Sequence, residues 1–271
     1  MFNKISFIGA GSMAESIIAG ILEKRVVTNR QIFVTNKRNH ERLANLQHRF
    51  NINGTTNKEN IIDQADLIIL STKPYDMEEA IDSIKAYMQP NQFVVSVAAG
   101  ISTEFIAEKM EMDVSVVRVM PNTSASIGFS ATAIAGGKHA KQEHIKLVEK
   151  LFKTIGTTTI VAEEDMHAVT SISGSGPAYI YYLVEAMEQA AVEAGLDKDV
   201  AKALITQTVV GAGEMLKKTD DPVRVLREKI TSPGGTTQAA IETLDANDFK
   251  KTIFECVNSA RQRSIELGET Y

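Results

Sequence analysis

Cysteine, tryptophan and long uncharged apolar runs are nearly or wholly missing from the 271-residue sequence. The single cysteine, Cys256, excludes an internal disulfide framework, and its context TIFECVNSA predicts a small buried side chain rather than a nucleophile. A lone free cysteine also favours a reducing, cytoplasmic setting. The most apolar stretch, residues 178–195, carries three glutamates and falls short of the roughly 20 uncharged residues that a membrane span needs.

Clusters of charge are also missing. The net charge of −5 is spread along the chain without a basic run or an acidic tail, which argues against nucleic acid as the main partner. The apolar start of the chain is interrupted at once by glycines and Glu15, so we expect folded structure there and not a signal peptide. We predict no nucleic-acid partner, no membrane association and no metal site.

The order of local patterns predicts an α/β fold. β-rich runs alternate with helical ones in the first part of the chain, as in a parallel sheet covered by crossover helices. The predicted strands cover residues 4–9, 31–35, 65–72, 92–98, 114–120, 130–136 and 157–162. After about residue 164 only helical patterns remain. We therefore predict a Rossmann-like dinucleotide-binding domain at 1–163 and an all-helical domain at 164–271.

The motif GAGSMA supplies the first chemical signal. Gly9, Gly11 and Ala14 form G-x-G-x-x-A between the first predicted strand and a helical run. Such glycines allow a tight turn and let a pyrophosphate approach the backbone at the helix N-terminus. The motif alone is weak, since it also fits a structural turn, but its place at the start of a βαβ array favours dinucleotide binding.

The end of the second strand predicts which dinucleotide is bound. Thr35 and Asn36 stand where an NAD-binding protein would have a carboxylate for the ribose 2′-hydroxyl, and Lys37 and Arg38 follow. The absence of a carboxylate and the presence of two basic residues together favour binding of the 2′-phosphate of NADP. The alternative is that both bases merely open the next helix on its solvent face.

A second anion site is predicted far from the first, in ITSPGGTTQAAI at 230–241. Glycines and hydroxyls precede a helix start there, so free backbone N–H groups and the helix dipole would suit a carboxylate. The alternative is an inter-helix turn capped by Ser232 and Thr236.

The reaction type is indicated by an absence. Residues 168–197 contain no Lys, Arg or His, whereas hydroxyacid dehydrogenases of related build place a lysine on this helix as general acid. A carbonyl needs a proton as it is reduced, but an imine can enter already protonated. The sequence therefore favours an imine substrate.

Motifs along the whole chain resemble those of the pyrroline-5-carboxylate reductase family. They are FIGAGSMA, STKP (71–74), SVAAGIS (96–102), VRVMPNT (117–123), ISGSGPAY (172–179), TQTVVGAGEML (206–216) and PVRVLREKITSPGGTTQAAIETLD (222–245). The last is the most specific. The resemblance implies reduction of the cyclic imine 1-pyrroline-5-carboxylate to L-proline, the last step of proline biosynthesis, with NADPH, or alternatively NADH, as hydride donor.

The resemblance also implies roles for particular residues. Those implied to bind the cofactor are Gly9, Ala10, Gly11, Ser12 and Met13 (pyrophosphate), Asn36, Lys37, Arg38 and Asn57 (adenosine), Thr72, Lys73 and Pro74 (ribose), and Ala98, Ala99, Met120, Pro121 and Asn122 (nicotinamide). Ser232, Gly235, Thr236 and Thr237 are implied to bind the substrate carboxylate. Ser232 and Thr237 would be catalytic, with the Thr237 hydroxyl on the ring nitrogen.

Two further expectations follow from the resemblance. The helical domain would build a homodimer or a ring of dimers, with Tyr179, Tyr181, Met187 and Met215 as interface or core residues. Ser124 stands where the family commonly has proline, so the turn over the nicotinamide is expected to be looser.

Two other functions stay open at this point. One is an imine or hydroxyacid reductase that acts on a different small carboxylate substrate; the missing lysine argues against a hydroxyacid. The other is a regulatory or scaffold protein that binds NADP on the same fold but has no need of the second anion site.

Overall fold

The protein is represented by a computed structural model that describes residues 2–269. The chain forms two compact units, Met1–Pro177 with Ala260–Tyr271, and Ala178–Ser259. The first unit thus extends beyond the predicted boundary at residue 163 and also takes in the end of the last helix. Residues just after 163 belong to the first unit because they pack against its strands. Met166, for example, lies in a buried cluster with Ala133 and Ala135.

The first unit is built on one eight-stranded sheet of order β3-β2-β1-β4-β5-β6-β7-β8. The strands are β1 Ile5–Ile8, β2 Ile32–Thr35, β3 Asn53–Gly54, β4 Leu67–Leu70, β5 Phe93–Ser96, β6 Ser115–Met120, β7 Ser130–Gly136 and β8 Gly156–Ile160. All seven predicted strands are present. The two-residue strand β3 was not predicted.

The last two strands of the sheet run opposite to the predicted parallel arrangement. Strands β1 to β6 pair in parallel, but β7 is antiparallel to β6, and β8 runs parallel to β7. The link between β6 and β7, residues 121–129, is short and contains a 3₁₀ helix, Thr123–Ile127. It is shorter than the dozen or so residues that a parallel crossover needs, so the chain reverses instead.

Twelve helices are described in residues 2–269. Those of the first unit are α1 Ser12–Glu23, α2 His40–Phe50, α3 Lys58–Ile62, α4 Met77–Asp82, α5 Thr103–Met110, α6 Gln142–Phe152 and α7 Met166–Val169. They are followed by α8 Gly176–Glu193, α9 Lys198–Lys218, α10 Val223–Lys229, α11 Thr236–Ala246 and α12 Phe249–Glu269. A π-helical turn, Thr170–Gly174, precedes α8. None of the helices found in residues 2–269 combines the length and apolar composition required to cross a membrane.

The central strands are buried on both faces, as their consecutive apolar residues predict. In β4, Leu67 and Ile69 belong to one hydrophobic cluster, and Ile68 and Leu70 belong to the other. Apolar side chains therefore cover the central strands on both faces, whereas β8 at the edge of the sheet is largely exposed.

The end of α12 is attached to the first unit by specific contacts. Nδ1 of His167 lies 2.9 Å from Oγ of Ser264, which is buried. Gly268 lies so close to Gly100 that a Cβ atom on it would be 2.8 Å from the Gly100 carbonyl oxygen. Burial lowers the pKa of His167, and the positive charge of Arg118 lowers it further, so the neutral imidazole is favoured here.

The second unit has almost no core of its own. Of residues 178–259, all of which are described, only Ala201 and Ile205 are buried. Large apolar side chains stand exposed, among them Tyr182 at 77% and Phe254 at 67%. The prediction of a buried Cys256 is wrong for the single chain, since its thiol is exposed where no second layer of this unit covers it.

Candidate active site

The carboxyl ends of neighbouring parallel strands lie side by side along one edge of the sheet. The register pairs Ile8 with Leu70 and Leu70 with Ser96. The predicted cofactor segments that begin at Gly9, Thr72 and Ala98 follow these strands and therefore share the edge. The sheet order reverses at β1, and such a switch point is where open α/β sheets bind their ligands.

The turn after β1 fits a pyrophosphate. Gly9 has a φ of +113°, and a Cβ atom there would lie 2.7 Å from the Ser71 carbonyl oxygen, so only glycine is accommodated. Gly11, the N-cap of α1, has open space where its Cβ would be. The N–H groups of Ser12 and Met13 have no acceptor within residues 2–269. This helix start therefore offers donors and room to an anion.

A pocket of about 400 Å³ lies at the ends of β1, β2 and β4. Its lining includes eight predicted cofactor residues: Gly9, Ala10, Gly11, Asn36, Lys37, Arg38, Thr72 and Lys73. The other nine do not line it: Ser12, Met13, Asn57, Pro74, Ala98, Ala99, Met120, Pro121 and Asn122. Their roles toward the cofactor stay predictions.

Three charged residues of this pocket were missed from the sequence: Lys58, Asp76 and Glu79. Lys58 directly follows Asn57, which was predicted, so a basic neighbour could have been noticed. No sequence signal marks the two acids, because they reach the pocket through the packing of the segment after β4.

The acids pair with the bases that were predicted to bind the 2′-phosphate. Lys37 forms an ion pair with Glu79. Nη2 of Arg38 lies 3.5 Å from Asp76 and 3.9 Å from Glu79. Since the Lys37 and Arg38 side chains are 57% and 69% exposed, these pairs are worth little, at most about 1 kcal/mol each.

Asn122, two residues after the end of β6, connects three segments of the first unit by hydrogen bonds. Its backbone N–H donates to Oγ of Ser130 at 3.0 Å, and its Nδ2 donates to the Ser173 carbonyl at 3.0 Å. Its Oδ1 accepts from the Ser124 N–H at 3.1 Å. Proline at position 124 would lack that N–H, so serine here makes a hydrogen bond that proline could not. The expectation of a looser turn stays a prediction.

The loop between α10 and α11 is a tight turn. The Gly235 N–H donates to the Ser232 carbonyl at 3.0 Å, and Gly234 has a φ of +69°. Proline at 233 and this glycine are typical of a type II turn. The Gly234 N–H donates to Oε1 of Gln238 at 2.7 Å. The turn itself thus uses the Gly235 N–H, and the role of Gly235 toward the substrate carboxylate stays a prediction.

The backbone N–H groups without an acceptor lie in the next residues, at the start of α11. The N–H groups of Thr236, Thr237 and Gln238 have no acceptor in the described chain. The hydroxyls of Ser232, Thr236 and Thr237 likewise pair with no described residue. Thr237 is half-buried and the other two residues are exposed. These groups, with the helix dipole, can bind an anion, and Gln238 was missed from the sequence.

Comparison with known proteins identifies the family. Residues 163–267 match the family model described as pyrroline-5-carboxylate reductase dimerisation, and residues 4–100 match the one described as NADP oxidoreductase, coenzyme F420-dependent. Pyrroline-5-carboxylate reductase 2 of Bacillus subtilis is 44% identical over 268 residues, which cover 99% of this chain and 96% of that protein. The chain belongs to the pyrroline-5-carboxylate reductase family.

Solved structures of this family have the same fold. A pyrroline-5-carboxylate reductase from Coxiella burnetii is 31% identical with a TM-score of 0.90, and 98% of each chain is covered. The pyrroline carboxylate reductase of Plasmodium falciparum, solved with NADP bound, is 30% identical with a TM-score of 0.87, again over 98% of each chain. The predicted fold class is confirmed, and the matched dimerisation model assigns oligomerisation to the C-terminal region.

Replacing Asn122 by alanine is expected to destabilise the first unit. It removes the side-chain hydrogen bonds to Ser173 and Ser124, each worth about 1 kcal/mol. Urea denaturation should therefore show a loss of about 1–3 kcal/mol in the free energy of unfolding. The exposed Asn60→Ala is the control and should change it little; an equally small effect of Asn122→Ala would contradict the structural role of this side chain.

Proposed function

We propose that the protein reduces 1-pyrroline-5-carboxylate to L-proline, the last step of proline biosynthesis, with NADPH as hydride donor and NADH as an alternative. Its membership of the pyrroline-5-carboxylate reductase family over 99% of the chain carries the proposal. A hydroxyacid reductase is not favoured, because residues 168–197 offer no Lys, Arg or His as general acid. The lone cysteine supports a cytoplasmic setting.

The first unit binds the cofactor in this proposal. The tight turn at Gly9, the open space beside Gly11 and the free N–H groups of Ser12 and Met13 suit its pyrophosphate. The basic lining of the neighbouring pocket suits the adenosine end. The residues proposed to border the nicotinamide lie at the same edge, at or just after the ends of β5 and β6: Ala98, Ala99, Met120, Pro121 and Asn122. When bound, NADPH supplies the hydride to the C=N carbon.

The second unit holds the substrate. The free N–H groups of Thr236, Thr237 and Gln238, with the Ser232 and Thr236 hydroxyls, suit a carboxylate at the start of α11. The Thr237 hydroxyl is proposed to orient the ring through its nitrogen. The imine enters protonated, so these residues contribute to the rate by positioning and not by acid catalysis.

The proposal is tested with purified protein, NADPH and pyrroline-5-carboxylate. We expect NADPH oxidation that depends on the substrate and yields one proline for each NADPH consumed. A parallel reaction with a small 2-oxoacid is the control and should give background only. Absence of turnover with pyrroline-5-carboxylate would refute the function.

Thr237→Ala is expected to lower kcat more than tenfold, which corresponds to about 1.4 kcal/mol or more. It deletes the hydroxyl but keeps the backbone N–H, so the affinity for NADPH and the state of assembly should not change. The matched control is Thr243→Ala on the same helix, whose hydroxyl bonds only to the Ala239 carbonyl. Steady-state kinetics of both variants measure the change in kcat. A kcat of Thr237→Ala equal to that of the wild type would show that the loop is only a turn between helices.

We further propose that the active protein is a homodimer or a ring of dimers formed by the helical unit. The exposed Tyr181, Met187 and Met215 support this, because apolar side chains on so many helices need a partner surface. Tyr179 is half-buried in the single chain. Sedimentation at assay concentration should give a mass of at least two chains, and an active species with the mass of one chain would contradict the proposal.

A further inference from the structure

Lys58 lies beside the end of the second strand. It is the first residue of α3, and its Nζ lies 3.3 Å from Oγ1 of Thr35, the last residue of β2. The side chain is half-buried and lines the pocket at the strand ends. The end of the second strand is where a Rossmann fold distinguishes the ribose 2′-hydroxyl of NAD from the 2′-phosphate of NADP.

The charges around Lys58 differ from those around the two predicted bases. Lys37 pairs with Glu79, and Arg38 lies near both Asp76 and Glu79. Lys58, in contrast, pairs with no carboxylate of residues 2–269. Burial lowers the pKa of Lys58, and the positive charge of Lys37 lowers it further. Its ammonium therefore has no carboxylate partner in the described chain, and the neighbouring charge that acts on it is that of Lys37.

We propose that Lys58 is the cation that receives the 2′-phosphate of NADPH and sets the preference for NADPH over NADH. This rests on the proposed use of NADPH. A phosphate at Thr35 gains a charge-assisted hydrogen bond from Lys58 without first breaking an ion pair. A ribose hydroxyl gains far less from the same ammonium.

Glu79 opposes this preference in the same pocket. Its carboxylate holds Lys37 and adds negative charge to the pocket that the phosphate enters. Removing that charge frees Lys37 for the phosphate and removes a repulsion. Lys58 and Glu79 thus act on the 2′-phosphate with opposite sign.

The experiment measures binding of adenosine 2′,5′-bisphosphate and of adenosine 5′-monophosphate by calorimetry, so it needs no substrate turnover. Lys58→Met keeps an unbranched stem and removes the charge. We expect its dissociation constant for the bisphosphate to rise about tenfold, with less than about a twofold change for the monophosphate. Lys58→Arg should retain most of the affinity. Glu79→Gln should tighten binding of the bisphosphate only.

Lys4→Met is the matched control. Lys4 is also half-buried, burial lowers its pKa as well, and it contacts the end of α3 through the Asn60 and Asp63 carbonyls. It precedes β1 at the other end of the strands, so its loss should leave both dissociation constants unchanged. Thermal unfolding of each variant checks the fold.

Three results would overturn the proposal. They are an unchanged affinity of folded Lys58→Met for the bisphosphate, an equal loss for both nucleotides, and a wild-type protein that binds the bisphosphate no more tightly than the monophosphate. A protein that binds the bisphosphate as expected but fails to reduce pyrroline-5-carboxylate would instead refute only the proposed function.

Discussion

The approach of Gly9 to the Ser71 carbonyl is the constraint on which the first unit depends. The backbone after β1 passes so close to the end of β4 that no side chain fits between them. The Ser71 hydroxyl donates to the Ile8 and Gly9 carbonyls, at 3.2 and 3.1 Å, and holds the two strand ends together. This contact fixes where α1 begins and so directs its free N–H groups to the edge where β4 and β5 also end.

The helical unit has almost no buried core within a single chain. Burial of apolar surface is the main favourable term in folding, at roughly 25 cal/mol per Å², and residues 178–259 bury almost none of their large side chains within one chain. Their stability must come from further contacts, which accords with the dimerisation model that they match. Because the loop before α11 lies in this unit, the proposed substrate binding and the proposed assembly would depend on the same helices.

The two proposed anion sites differ in their electrostatics. At the start of α11 the donors are backbone N–H groups and hydroxyls, which carry no net charge and suit a single carboxylate held at fixed geometry. At the ends of β1 and β2 the donors are ammonium and guanidinium groups, and Asp76 and Glu79 pair with Lys37 and Arg38 but not with Lys58. Exposed ion pairs there are weak, so an incoming phosphate can replace the carboxylates as partner of the bases.

The sequence by itself determined the features that local chemistry controls. Consecutive apolar residues marked the buried strands, G-x-G-x-x-A marked the turn that only glycine permits, and PGG marked the turn before α11. Tertiary structure decided the rest: the reversal of β7, the use of the Gly235 N–H within its turn, the exposure of Cys256, and the meeting of Lys37 with Glu79 and of Lys58 with Thr35. The physical reason is the sequence separation over which each interaction acts. The backbone conformation of a residue and the spacing of apolar side chains depend on neighbours in the sequence. The partner of a charged group or of a strand, in contrast, lies in a distant segment that only folding brings close.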